Sequence, residues 1–351
     1  MTEDLDGAVV LITGGTGSLG QTLVRRLLAG ELGRPERLII LSRDEAKQYA
    51  MKTRWKNAEA ASDDIVYHNF DQLIEFRIGD VRDYASVVDA VSRSDVIFHA
   101  AAMKQVPTCE YFPAQATATN VMGTENVVRA VRQSGRPKVV MGISTDKACK
   151  PVNVMGMTKA IQERLIVEGN LDNDDCRLVA VRYGNVLESR GSVIPLFKHQ
   201  IATGGPVTIT TPDMTRFLMT LEAAVDTVFT AFREARRGEI YIPKMPSARV
   251  TDIAEILIGD SGVETVITGI RPGEKIHELL ISEEEAYRTV DRGDYFAMRP
   301  MLPDFGEDDS PRPLTGDYSS ADAIVTGERL AALVAIGAFT DLAVDEPGLV
   351  G

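Results

Sequence analysis

Residues 144 to 159 read Ser-Thr-Asp-Lys-Ala-Cys-Lys-Pro-Val-Asn-Val-Met-Gly-Met-Thr-Lys. Thr145, Asp146 and Lys147 set a hydroxyl, a carboxyl and an amine side by side, three groups able to exchange protons, which suits acid/base work. A solvated cap before a helix is the plainer reading of Asp146. The triplet follows an apolar run, Val139 to Ile143, with the character of a buried strand, and leads into a helix over 154 to 168 that carries Lys159. It therefore falls at the carboxyl end of a strand, where open α/β sheets bind ligands.

Composition narrows the setting. The 351 residues are 44% hydrophobic, enough for a large core, and a net charge of −13 disfavours a nucleic-acid partner or attraction to anionic membranes. Cys109, Cys149 and Cys176 have no metal-ligand spacing and make no even disulfide framework, so a reduced compartment and no metal are expected. No apolar run approaches the roughly 18 residues of a membrane span. The first strand begins near Ala8, leaving no room for a signal peptide. A soluble, cytoplasmic protein without a membrane partner is expected.

Apolar runs at Ala8 to Thr13, Arg37 to Leu41, Leu73 to Ile78, Val96 to His99, Val139 to Ile143 and Leu178 to Val181 alternate with helical stretches. That rhythm predicts an α/β fold with a doubly wound parallel (Rossmann) sheet, whose strands end along one shared edge. Gly14, Gly17 and Gly20 follow the first strand and open an amphipathic helix, the context of a dinucleotide-binding turn. Gly14 permits the tight turn, Gly17 lets the backbone approach a pyrophosphate, and Gly20 allows close helix packing. The second strand ends in Ser42-Arg43-Asp44, where Arg43 can pair with a 2′-phosphate and favours NADP, while Asp44 keeps NAD as the alternative.

Residues 43 to 60 read as a helix and 59 to 72 as a polar excursion. Asp80 suits either an adenine amino group or a helix cap. After the fourth strand, Ala100, Ala101 and Ala102 let a backbone lie against a cofactor and Lys104 brings a charge to the same crevice; His99 reads as a packed histidine. Pro113 to Gln133 reads as one long helical stretch from which Asn120 reaches neighbouring strand ends. Residues 1–183, with part of 221–245, are expected to form the dinucleotide-binding domain. Residues 184–220 and 246–335 are expected to form a smaller mixed α/β substrate-binding lobe, and 336–351 a loosely ordered tail. In that lobe Arg190, Arg216 and Arg271 suit a diphosphate or a planar base.

The glycine turn, the Lys159 helix and the small second lobe resemble the extended short-chain dehydrogenase/reductases that act on nucleotide sugars. Seven stretches resemble one branch of them, the inverting UDP-N-acetylglucosamine 4,6-dehydratases of bacterial surface polysaccharide pathways. They are Ser42-Arg-Asp-Glu45, His99-Ala-Ala-Ala-Met-Lys-Gln-Val-Pro107, Ser144-Thr-Asp-Lys147, Arg182-Tyr-Gly-Asn-Val186, Arg190-Gly-Ser-Val-Ile-Pro195, Asp213-Met-Thr-Arg-Phe217 and Arg271-Pro-Gly-Glu-Lys275. The likeness spans residues 7 to 335.

The resemblance implies cofactor contacts from Gly14, Thr16, Gly17, Ser18, Leu19 and Gly20, and from Ser42, Arg43, Lys47, Asp80 and Val81. Further along it implies Ala100, Ala101, Ala102, Lys104, Asn120, Lys159 and Tyr183. For the substrate, UDP-N-acetylglucosamine or a close UDP-amino sugar, it implies Met103, Lys104, Asn185, Val193, Arg216, Arg271 and Glu274. A homo-oligomer, dimer to hexamer, is also implied.

One position departs from the wider family, which uses Tyr-x-x-x-Lys; here the spacing gives Met155-Gly-Met-Thr-Lys159. A thioether cannot act as a base. Methionine there is familiar in capsular-polysaccharide members that also epimerise C5 and in membrane-anchored relatives; without a membrane segment, and with Gly293-Asp-Tyr-Phe296, this chain resembles the soluble capsular type. The implied cycle oxidises C4, removes the C5 proton, expels water from C6 and returns hydride to C6. In it Lys159 holds the nicotinamide ribose, Asp146 protonates the departing C6 hydroxyl, and Lys147, its pKa lowered by Lys159, takes the C5 proton. Thr145, or Asp146 through water, would replace Met155 at the C4 hydroxyl. The rivals are a C4-epimerase, which needs no acid at C6, and a non-catalytic NADP-binding sensor.

Overall fold

A computed structural model describes residues 4–61, 73–187, 193–305 and 310–339. Six strands, β1 (Val9–Thr13), β2 (Arg37–Ser42), β3 (Ile74–Ile78), β4 (Val96–His99), β5 (Val139–Thr145) and β6 (Arg177–Tyr183), alternate with helices. β1, β4 and β6 are buried at every position, as strands covered on both faces must be, which is why each reads as a mainly apolar run, Arg177 and Arg182 of β6 being the charged exceptions. β5 runs two residues past the expected end because Thr145 still pairs with Tyr183 of β6. Thr145 is thus fixed by the sheet itself.

Beyond β6 come β7 (Asn185–Val186), β8 (Val207–Ile209), β9 (Thr215–Met219), β10 (Ile240–Pro243), β11 (Ser247–Arg249) and β12 (Thr265–Ile267). The last four strands are β13 (Leu279–Ile281), β14 (Thr289–Arg292), β15 (Tyr295–Met298) and β16 (Tyr318–Ser319). The main sheet has nine strands in the order β14-β15-β10-β6-β5-β4-β1-β2-β3. It is parallel from β3 to β10, and β15 runs antiparallel to both β10 and β14. The fold is therefore a doubly wound α/β sheet with an antiparallel hairpin on one edge.

That hairpin corrects the expected boundary: residues 289–298 were assigned to the second lobe and instead join the large sheet. The turn at Gly293, φ +71°, makes the hairpin, whose residues are buried away from the turn and open to solvent beside it. A helix near the carboxyl end, Gly327–Phe339, runs past 336, so the start of the expected loose tail is helical. The expected polar excursion at 59 to 72 lies mostly outside the described residues, after the helix Glu45–Ala61.

The stretch read as one helix from 113 to 133 is Pro113–Ala116, a π-helical turn Thr117–Met122, and Gly123–Ser134. The wider turn carries Asn120, and such bulges recur at functional sites. The helix Val154–Glu168 starts where Asn153 Oδ1 accepts the Gly156 N–H at 2.8 Å. Met155 and Lys159, one turn apart, then share its buried face.

The remaining elements form a smaller mixed region. β11-β9-β7 make one sheet, and β8–β12 and β13–β16 make two-stranded pairs. Apolar clusters separate from the main core, one of them Leu187, Ile194, Leu218, Ala248, Ile253, Leu330 and Val334, hold it together. Between region and sheet lies Arg182 of β6, fully buried, bonded to Glu163 (Nη2–Oε2 2.6 Å) and to Glu285 (Nη1–Oε2 2.7 Å). No helix among the described residues is long and apolar enough to cross a membrane.

Candidate active site

The carboxyl ends of the parallel strands face the smaller region across a cleft of about 830 Å³. At one end lies the glycine turn. Gly14 has φ +71°, and a Cβ there would come within 2.8 Å of the Ala101 backbone; at Gly20 it would lie 2.5 Å from Gly15 Cα. Any side chain would push the turn off the strand ends. The helix Ser18–Leu28 begins after Gly17 without a side-chain cap, which leaves its amino terminus suited to an anion. An uncapped helix start beside a glycine cradle fits a dinucleotide pyrophosphate.

At the end of β2, Thr16 Oγ1 meets Ser42 Oγ at 3.0 Å. Asp44 caps the following helix, accepting from Lys47 N–H at 3.0 Å and pairing with Lys47 Nζ at 3.1 Å. Lys47 N–H and the ammonium both lower the Asp44 pKa. Arg43 is left exposed at the cleft, 3.9 Å from Asp80. Asp80 does not cap the next helix; Asp83 does, and Asp80 binds the Arg82 guanidinium at 2.6 Å. Arg43→Ala is expected to weaken NADP binding at least about tenfold, the loss of one charge-assisted hydrogen bond, while NAD binding barely changes. Calorimetry with both nucleotides checks this, and equal losses would remove Arg43 as the phosphate reader.

Ala100, Ala101, Ala102, Met103 and Lys104 line the cleft beside Leu19 and Val81. Asn120, expected at the cofactor, does not. It is buried and grips the Met103 backbone, accepting its N–H at 2.8 Å and donating to its carbonyl at 3.0 Å, with a further bond to Thr158 Oγ1 at 2.9 Å. Its part is to hold the 103–104 loop in place. His99 is the packed histidine expected: fully buried between Thr13 and Thr124, with burial pulling its pKa down to about 3.

The acid/base groups meet as the sequence predicts, with two corrections. Thr145 lines the cleft and donates to Asp146 Oδ1 at 2.8 Å, but the Asp146 carboxylate is wholly buried behind it and does not line the cleft. The Asp146 carboxylate therefore meets the cleft only through Thr145 and Lys147, and not directly as the sequence suggests. The second correction concerns Lys147, which reaches the cleft with Nζ 3.1 Å from Asp146 and 3.6 Å from Glu278. Burial would lower its pKa, but those two carboxylates outweigh burial and hold it above the ordinary lysine value. The expected lowering belongs to Lys159 instead. There desolvation brings the pKa down to about 8, with Nζ donating to the Ile143 carbonyl and Gln162 Oε1, each at 2.5 Å.

Met155 lines the cleft from an apolar cluster with Cys109 and Ala116. Tyr183 lines it too, and burial pushes its hydroxyl pKa up. From the smaller region come Asn185, Val193, Arg216, Arg271 and Glu274. Arg216 is buried, donating to the carbonyls of Thr215 (2.7 Å) and Ile276 (3.1 Å), whereas Arg271 is exposed. Arg190 lies outside the described residues. Asn185 Oδ1 is buried without a hydrogen-bond partner, an acceptor aimed at no protein group. The sequence reading missed Glu278, a buried carboxylate of the cleft wall. Nothing local marks it; only its place three residues after Lys275 could have drawn attention.

Comparison with known proteins agrees with this architecture. A family model described as "Polysaccharide biosynthesis protein" matches residues 10–300. The "UDP-glucose 4-epimerase" of Rickettsia prowazekii (strain Madrid E) is 41% identical over 331 residues, covering 93% of this chain and 89% of that one. Among solved structures, Pen from Bacillus thuringiensis is 32% identical with a TM-score of 0.84, covering 95% of this chain and 98% of its own. DesIV from Streptomyces venezuelae, a dTDP-glucose 4,6-dehydratase with NAD and TYD bound, has a TM-score of 0.64 over 76% of this chain and 86% of its own; at 21% identity that likeness is one of fold. With a family model spanning most of its length and relatives this similar along nearly all of it, the chain belongs to the polysaccharide biosynthesis protein family.

Proposed function

We propose that this protein is a nucleotide-sugar enzyme of polysaccharide biosynthesis, and specifically a UDP-N-acetylglucosamine 4,6-dehydratase that inverts C5. The observation that carries the reading is Lys147: an amine in the cleft, flanked by two carboxylates, beyond anything C4 chemistry requires. An epimerase acting at C4 alone would have no task for it. NADP is the favoured cofactor, because Asp44 is engaged as a helix cap and Arg43 is the charge left at the ribose position; the fold neighbour DesIV carries NAD, which stays the alternative.

Bound at the glycine turn, the nicotinamide would supply reversible hydride acceptance, from C4 and back to C6. The chain's own groups manage protons. Thr145 Oγ1, bonded to Asp146, can take the C4 hydroxyl proton while passing its own to the buried carboxylate, which replaces the missing tyrosine base. Once Asp146 is neutral, Lys147 has lost its nearer counter-charge and holds its proton less firmly. The amine takes the C5 proton as its own proton passes to the C6 hydroxyl, so that the C5–H electrons form the C5–C6 double bond while water departs. Two protons leave the sugar, from O4 and C5, and two return, to the leaving water and to C5; Asp146 and Lys147 hold them in between. The spare proton is the one on Asp146; passed back through Thr145 to the face of C5 opposite Lys147, it would invert that centre and restore both groups to their starting states. Lys159, bonded to the Ile143 carbonyl, stands at the end of β5 to orient the ribose.

The test is to incubate purified protein with UDP-N-acetylglucosamine and no added cofactor and to follow proton NMR. A new methyl resonance, from C6 reduced to CH₃, is expected. The relative named an epimerase motivates the control: interconversion of UDP-glucose and its C4 epimer, with no methyl signal from any UDP-hexose, would replace this reading with epimerisation.

A further inference from the structure

Glu278 is locked in place ahead of β13. Its N–H donates to Ser320 Oγ at 2.9 Å, and its carbonyl accepts the Ser320 N–H at 2.8 Å. Its side chain, 4% exposed, nevertheless lines the cleft and faces cations from three separate stretches of chain. Oε1 lies 3.6 Å from Lys147 Nζ and 3.9 Å from Arg216 Nε; Oε2 lies 4.0 Å from Lys275 Nζ and has no hydrogen-bond partner. Each cation is anchored elsewhere. Arg216 binds two backbone carbonyls, Lys275 donates to the Cys149 carbonyl, and Lys147 donates to Asp146.

We propose that Glu278 is a positioning residue that reaches across the cleft from the smaller region to fix the Lys147 amine and, together with Asp146, to decide whether that amine carries a proton. The contact stands on geometry alone; what the proton is for rests on the dehydratase reading above. Of the charges that face Lys147, Asp146 comes from its own loop and Glu278 and Arg216 from the smaller region, where Lys275 faces Glu278 in turn. On the other side Lys159 is turned onto Ile143 and Gln162, and Glu163 is taken up by Arg182. Asp146 shares a chain segment with Lys147 and moves with it. Glu278 does not, so the amine's hold on its proton follows the distance between the smaller region and the sheet.

Glu278→Gln removes the charge and keeps the shape. Competitive labelling of the full-length protein with acetic anhydride over a pH series, read lysine by lysine by mass spectrometry, gives the Lys147 titration without any turnover. Its midpoint is expected to fall by about one unit or more, the usual effect of losing a close opposite charge, while exposed Lys47 stays where it was. Glu278→Asp, one methylene shorter, should give a smaller fall in the same direction and covers the case in which the glutamine variant does not fold. The alkaline limb of the kcat profile should move to lower pH in parallel, because a neutral Lys147 has no proton for C6. An unmoved Lys147 midpoint in the folded variants overturns the proposal. A shifted midpoint in a protein that makes no methyl product sinks the dehydratase reading and leaves the role of Glu278 standing. Methyl product with an unmoved midpoint does the reverse.

Discussion

Lys147→Ala is expected to lower turnover of UDP-N-acetylglucosamine by about 10²- to 10⁴-fold, the usual cost of losing a positioned acid or base. The loss should fall on elimination and spare oxidation. Thr145 and Asp146 remain bonded to one another without the lysine, and Lys159 is held by Ile143 and Gln162, so the C4 hydroxyl can still give up its proton. Reduced-nicotinamide absorbance should then build up on the enzyme while no methyl product forms. In heavy water the wild-type enzyme should place deuterium at C5 of its product, since the proton lost there has to be replaced; the variant should show little. Near-normal deuterium uptake in Lys147→Ala would take this residue out of the C5 step and pass the role to Asp146 acting through Thr145.

Arg182→Met should destabilise the fold by roughly 3–5 kcal/mol, because breaking a buried ion pair strands the charges left behind. Glu163 and Glu285 would face each other, both held in wild type by a guanidinium that is itself 1% exposed. Burial alone would raise the Glu285 pKa, but Arg182 overrides it and holds the group near 2, against an ordinary value of 4.5. A depressed carboxylate stabilises the fold above its unfolded pKa and ceases to do so as pH falls through the folded one. The wild-type contribution is therefore complete above pH 4.5 and fades toward pH 2. In the variant the stranded carboxylates favour protonation, so its deficit should be largest near neutrality and shrink on acidification. Urea unfolding at pH 7 and pH 4 measures both. A deficit equal at the two pH values would mean that Arg182 contributes packing and not charge.

The parallel half of the sheet was legible because strands buried on both faces have no choice but unbroken apolar sequence, as in Val9–Thr13 and Val96–His99. The hairpin β14–β15 was not: its four-residue strands show no alternation of buried and exposed residues, and what assigns them to the large sheet is pairing with β10, some fifty residues upstream. The site divides in the same way. Thr145, Lys147, Met155 and Lys159 lie on a strand, the single 3-10 turn after it and the next helix, so their convergence follows from one short stretch of chain. Asp146 was read correctly in identity and wrongly in exposure, since nothing in a Thr-Asp-Lys sequence says which side chain turns inward. The Lys147 pKa was misjudged because its sign depends on Glu278, a residue 131 positions away whose approach is a fact of tertiary structure.

The chain leaves the large sheet after β6, returns to add β10, leaves again, and comes back once more for β15 and β14. On the ribosome this order matters. When β6 has emerged, its outer edge carries backbone groups that only β10 can pair, and β10 in turn waits for β15. At bacterial-like synthesis speeds of roughly 5–20 residues per second, the interval from β6 to β15 is on the order of ten seconds. For that time the nascent protein presents an unpaired strand edge, first that of β6 and then that of β10, the kind that recruits a neighbouring copy as readily as its own missing strand. The last hairpin therefore acts as a closing seal, and synthesis that stops short of Met298 should yield a chain with a folded glycine turn and an open, adhesive flank.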